Sequence, residues 1–335
     1  MRILILFSTM VFLLAGLPSG AQDLHFSQFY LHPQHQSPAS AGAFHGNLRM
    51  SGIYRSQWRS VPVNYQTYGV AADWKAIQRD KSQIALGVLL QQDQAGDGQL
   101  SWTQGGLNLS AGHKLGANSR IAAGFGANAI QRTVNLSRLS FKNQWNGDNY
   151  DPSLPSGEPN SRNSGLAASL SAGLHFSMQS AEKRTGVHLG IGAMHLNRPE
   201  VSFGGIGMAR IPVRWSVWTE GLYEWRSTTD LLAYGTFQTM QQAREIILGA
   251  GVRQFLTTGL ANLTAIRASI GWRPGDAIIP AVQIERNNWL AGISYDLNIS
   301  DFDQATNGRG GVEIAIVYRI VPVEVSKIVK CCPIF

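Results

Sequence analysis

Residues 289–299 read WLAGISYDLNI. Trp289, Ala291, Ile293, Tyr295, Leu297 and Ile299 alternate with Leu290, Gly292, Ser294, Asp296 and Asn298. An extended chain of this kind presents one greasy face and one small or polar face, whereas a helix would scatter both sets around its axis. Residues 165–176 repeat the pattern, with Leu166, Ala168, Leu170, Ala172, Leu174 and Phe176 on one side. So do Val312, Ile314, Ile316, Tyr318 and Ile320, interleaved with Glu313, Ala315, Val317 and Arg319.

Working outward, the same texture divides the chain into fourteen segments: 47–59, 65–75, 82–91, 99–113, 119–132, 163–178, 185–196, 211–225, 230–238, 245–256, 262–273, 277–286, 289–299 and 310–320. Most exceed the ~5–6 residues of a soluble strand and suit a tilted membrane strand. The connections after even-numbered segments are all short, while the long ones, 133–162, 197–210 and 300–309, all follow odd-numbered segments. An up-and-down barrel with short periplasmic turns and long outer loops requires this alternation. The prediction is an all-β fold, a transmembrane antiparallel up-and-down β-barrel of about 14 strands. Trp58, Trp74, Trp102, Trp225, Trp272 and Trp289 fall near strand ends, as interfacial girdles require.

Composition agrees. Charged residues make up 15% of the 335-residue chain, against ~25% in soluble domains, while Gly reaches 36 and Trp nine. The net charge of +7 is spread along the chain, so no nucleic-acid footprint appears. Arg2, the apolar stretch Ile3 to Leu14 and Ser19-Gly20-Ala21 read as a signal peptide, residues 1–21. Residues 22–46 form an irregular N-terminal segment on the lumen or periplasmic side, 47–320 the barrel, and 321–335 a periplasmic tail containing adjacent Cys331 and Cys332.

Chemistry is sparse. Asp93 to Gly98 lacks the closing carboxylate of a calcium loop, and Asn146 to Asp151 reads as a polar turn. His32 and His35 have no acidic or Cys partner nearby in sequence, so no metal site is assigned. No catalytic set or cofactor motif stands out, and the expectation is a non-enzyme. Arg49, Arg55 and Arg59, like Arg120 and Arg132, share the polar parity and point into the lumen, since a lipid-facing Arg near mid-bilayer costs about 2–4 kcal/mol. Asp73, Glu220, Glu285 and Glu313 are their candidate partners.

The two ends carry a resemblance. Gln22-Asp23-Leu-His-Phe26-Ser27-Gln28-Phe29-Tyr30, then Ser37-Pro38-Ala39-Ser40-Ala41-Gly42, is similar to the opening of the PorP/SprF family, and Tyr54-Arg55-Ser56-Gln57-Trp58 to its first strand. Gly292 to Ser300, containing Tyr295 and Asp296, resembles its penultimate-strand motif. Gly308 to Ile314, with Gly311 and Glu313, resembles the start of its last strand, and Cys332-Pro333-Ile-Phe335 its terminal signature. Ser37, Val312 and Cys331 depart from the family pattern.

The resemblance implies an outer-membrane protein of the type IX secretion system of Bacteroidota. Such a protein would bind cargo carrying a type B C-terminal domain, such as a large surface adhesin, supporting its secretion, surface retention and gliding motility. Periplasmic components of the machinery are further expected partners, and outer-membrane lipid surrounds the barrel. Expected partner-contact residues are Phe26, Gln28, Tyr30, Arg49, Arg55, Arg59, Trp145, Tyr150, Phe203 and Phe302. The alternative reading is a diffusion porin for small solutes.

Overall fold

A computed structural model describes residues 23–57, 65–157, 164–201, 209–259, 262–300 and 308–321. It contains fourteen strands: β1 Leu48–Gln57, β2 Tyr65–Gln78, β3 Ser82–Ala95, β4 Leu100–Lys114, β5 Ser119–Thr133, β6 Ser164–Gln179, β7 Gly186–Met194, β8 Arg214–Arg226, β9 Thr229–Met240, β10 Ala243–Gly259, β11 Asn262–Arg273, β12 Ala277–Arg286, β13 Trp289–Asn298 and β14 Arg309–Ile320. Each pairs antiparallel with its sequence neighbours, and β1 pairs with β14, so the sheet closes on itself and leaves no edge.

Period-two alternation does what it must in this setting. In β12, Ile278, Val282 and Ile284 face outward while Ala281, Gln283 and Glu285 are buried inside. In β3, Leu86, Val88 and Leu90 face outward and Gln83 and Gln91 inward. An exposed belt of Leu, Ile and Val in such a sheet is solvated by hydrocarbon, not water. Trp74, Trp225 and Trp289 project outward at one end of the barrel and Trp215 and Trp272 at the other. Trp102 departs from the girdle expectation. It shares parity with the buried Gln104 and Asn108, turns into the lumen, and carries the Arg132 guanidinium over its ring at 5.3 Å. Trp58 lies outside the described residues.

The short connections 79–81, 115–118, 180–185, 227–228 and 287–288 all follow even strands, and that end is the periplasmic one by the rule of short periplasmic turns. Two of them, 227–228 and 287–288, are only two residues long, and Asn287 adopts φ +51, a left-handed conformation that Asn tolerates. Strand ends differ from expectation where bulges break parity. β2 runs to Gln78, past 75, because the register shifts between Lys75 and Ile77. β10 runs to Gly259, past 256, with a shift between Phe255 and Thr257.

Residues 23–46 lie inside the barrel. Asp23 sits near the outer ends of β7 and β8, beside His195 and Arg214, and Asn47 is at the inner end, where its N–H donates to the Ile320 carbonyl. Three short 3₁₀ turns, at Phe29–Leu31, Pro33–His35 and Pro38–Ser40, satisfy the segment's own backbone where no ladder is available. The wall makes room for it with glycine. A Cβ at Gly124 would collide with the Ala39 backbone, one at Gly173 with the Ser37 hydroxyl, and one at Gly192 with the Gln36 carbonyl. Gly124→Leu is therefore expected to displace the segment without breaking the barrel. A heat-modifiable barrel whose N-terminal segment is newly cleaved by chymotrypsin at Phe26, Phe29 or Tyr30 would be the readout, and unchanged protection would count against this packing.

Candidate functional site

The N-terminal segment is a plug pinned to the wall by buried polar clusters. At the first, Glu313 on β14 accepts from the backbone N–H groups of Ser27 at 2.8 Å and Gln28 at 2.6 Å. Arg55 on β1 bridges Glu313 at 3.2 Å and Asp296 on β13 at 2.7 Å. Arg273 on β11 reaches the same Asp296 carboxylate at 2.9 Å, and the Ser27 hydroxyl donates to Asp296 at 2.8 Å. Two cations and two anions thus neutralise one another almost wholly shielded from water, where any one of them alone would be costly.

A second cluster sits at the plug's outer end. Asp23 pairs with Arg214 and His195, each at 3.2 Å, and Arg214 also donates to the carbonyl of Leu24. A third holds the inner end. The Gly42 N–H donates to Asp73 at 2.6 Å, while Arg49 donates to Asp73 at 2.9 Å and to the Ser40 carbonyl at 3.1 Å. Gly42 takes φ +76 here, close against Ala85 and Gln83, so both its conformation and its space call for glycine. Neutral contacts fill the rest. Asn108 donates to Gln34 at 2.9 Å, Gln283 to the Tyr30 hydroxyl at 2.7 Å, and Phe29 and Tyr30 pack on Tyr234 at 6.0 and 4.6 Å between ring centroids.

The expected contact residues divide by this geometry. Phe26, Gln28, Tyr30, Arg49 and Arg55 lie buried between plug and wall, with Phe26 at 0% exposure. The motif residues Asp23, Ser27, Pro38, Ala39, Gly42, Asp296 and Glu313, far apart in sequence, meet at the plug. Gly311 lies where β14 closes on β1, and a Cβ there would meet the Ser56 carbonyl. Gln57 lines the outer vestibule, and Tyr295 faces outward. Trp58, Arg59, Phe203, Phe302, Cys331, Cys332, Pro333 and Phe335 lie outside the described residues. Arg214, Arg273, His195, Tyr234 and Gln283 were missed. Lumen parity alone could have nominated them, because nothing in the local sequence marks a wall residue that meets a plug.

Trp145 and Tyr150 sit on the outer connection between β5 and β6 and pair through an isolated bridge, with Trp145 56% exposed. The tip between them is an Asx turn: Asn146 accepts from the N–H groups of Asp148 and Asn149 at 3.0 and 2.8 Å. Ser153 donates through its hydroxyl and its N–H to Asp151, which holds that carboxyl below the usual range. These oxygens serve the turn, and no group of three potential metal ligands occurs among the described residues.

Cavities lie on either side of the plug. One of about 310 Å³ and another of about 180 Å³ occupy the outer vestibule, sharing His25 and Gln57. One of about 260 Å³ occupies the inner vestibule.

Residues 19–318 match the family model for the type IX secretion system membrane protein PorP/SprF. The chain belongs to the PorP/SprF family. It is accordingly an outer-membrane β-barrel of the type IX secretion system. No curated protein matches it. Among solved structures it is similar to the Ralstonia pickettii toluene transporter TbuX, at 9% identity over 87% of this chain and 94% of that one, TM-score 0.49. The Pseudomonas putida toluene transporter TodX matches at 6% identity over 89% and 95%, TM-score 0.48. CdiB from Escherichia coli matches at 10% identity over 80% and 63%, TM-score 0.45.

Proposed function

We propose that this PorP/SprF protein is a plugged scaffold that holds a secreted surface protein at the outer face of the membrane. The cargo would be an adhesin bearing a type B C-terminal domain, and the outcome its export, retention and use in gliding. The pinned plug carries the reading. A lumen filled by Phe26 to Gly42 and closed by buried ion pairs leaves the rims as contact surfaces, and counts against a diffusion porin. On the outer rim, Trp145 and Tyr150 are large, exposed and held by a structured turn, the properties of binding anchors. The periplasmic rim, with the tail after β14, is where contact with the rest of the machinery would fall.

Deleting the gene should leave the barrel's type IX cargo secreted into the medium or degraded, with its surface amount reduced at least about tenfold, the scale on which loss of an anchoring contact acts. Surface immunolabelling of that cargo measures this. Normal export and retention in the deletion strain would rule the reading out.

A further inference from the structure

The inner vestibule differs in chemistry from the outer one. Arg49, Arg184, Arg253, Arg267 and Arg319 line its cavity of about 260 Å³, and Glu220 is the one carboxylate among the lining residues described. The outer cavity of about 310 Å³, by contrast, mixes Arg244 and Arg273 with Glu245, Asp276 and Asp296.

The acids that balance the inner arginines stand behind them and are already shared. Glu285 accepts from Arg267 and Arg319, each at 2.9 Å, and pairs with Arg253 at 3.4 Å. Asp230 pairs with Arg253 and, at 3.0 Å, with Arg184, which also approaches Glu224 at 3.7 Å. Arg184 and Arg253 are well supplied, Arg184 by Asp230 and the carbonyls of Arg226 and Ser227 and Arg253 by Asp230 and Glu285, whereas Arg267 and Arg319 share the one carboxylate of Glu285. The clearer case is Arg267. Its side chain is 9% exposed, it borders the cavity, and its Nε has no hydrogen-bond partner. That Nε is sealed from solvent, so a ligand oxygen in the cavity would engage the remaining exposed edge of this underused guanidinium.

We propose that this cavity is a periplasm-facing binding site for an acidic peptide segment of another protein, whose carboxylates the Arg267 and Arg319 guanidinium groups receive. The direction of entry follows from the lining. It comes from β1, β6, β7, β8, β10, β11, β13 and β14, around most of the closed wall, so the site opens along the barrel axis. Bilayer lipid lies beyond that wall. Leu31, Leu290 and Val317 add apolar surface beside the arginines, which suits a side chain with a carbon stem better than a bare phosphate. Lys81 and Lys183 on the inner turns and Lys114 at the inner end of β4, all exposed, would draw such a segment toward the mouth.

The test uses the full-length barrel in detergent and a fluorescent hexaglutamate peptide, with hexalysine and inorganic phosphate as comparison arms. Hexaglutamate is expected to bind and hexalysine not, with binding weakening as salt rises. Arg267→Gln with Arg319→Gln should cut its affinity at least about tenfold, whereas Arg286→Gln on the outward face should leave it unchanged. Heat-modifiable mobility establishes that each variant is folded. Arg319→Gln alone, at a position whose side chain is 27% exposed, serves if the double variant is not, with an expected drop of about threefold or more. Absence of hexaglutamate binding, equal binding by the folded variant, or tight binding of phosphate alone would each overturn the peptide assignment.

Discussion

Deleting residues 23–43 should convert a poorly conducting barrel into an open pore. The plug is not a loose tail. Phe26, Phe29, His32, Gln34, His35 and Gln36 are all essentially without solvent exposure, and each takes lumen space that water would otherwise fill. Barrels of this strand number lie between the side-chain-filled eight-stranded class and the water-filled porins, so an emptied lumen of fourteen strands should pass ions. Single-channel conductance in planar bilayers is expected to rise at least about tenfold on deletion. The intact protein should show rare, small openings. A large steady conductance from the intact chain would mean that the plug does not close the lumen and would revive the porin reading.

Glu313→Ala should unseat the plug at its middle. Glu313 is 0% exposed and accepts the Ser27 and Gln28 N–H groups while pairing with Arg55. Its removal orphans two buried donors and leaves Arg55 with Asp296, which Arg273 already engages. Breaking a buried ion pair of this kind costs about 3–5 kcal/mol. Because β14 keeps its ladders to β13 and β1, the loss should fall on the plug rather than on the barrel. In a background with Cys331 and Cys332 replaced by Ser, cysteine placed at Phe29 should become reactive to a water-soluble maleimide in Glu313→Ala, with the barrel's heat-modifiable mobility retained. Glu313→Gln keeps an acceptor oxygen and should fall between the two. Equal protection of Phe29→Cys in all three proteins would contradict the assigned role of Glu313.

The barrel was legible in the sequence because lipid and lumen impose opposite demands on alternate residues, so 289–299 and 310–320 announce their two faces. Strand ends were less legible where a bulge resets parity, as at Lys75 to Ile77 and Phe255 to Thr257. The location of the plug was legible only as a choice between lumen and periplasmic side. Its 3₁₀ turns carry no period, and its stability comes from partners up to 286 residues away in the chain, as between Ser27 and Glu313. Arg55, Asp296 and Glu313 were nominated by motif, but as separate features. Only the closed barrel brings β1, β13 and β14 together around Ser27. Trp102 shows the converse error: a residue near a strand end was read as a girdle, when its parity placed it in the lumen.

The plugged scaffold is tested most directly by capture of cargo at its outer rim. Purified full-length barrel should bind a soluble reporter fused to a type B C-terminal domain from a cargo of the same cell. Trp145→Ala combined with Tyr150→Ala, which leaves the wall and the plug intact, should weaken that binding at least about tenfold, as for paired aromatic anchors. Undiminished binding by the folded double variant, or no binding by the wild-type barrel, would contradict the account.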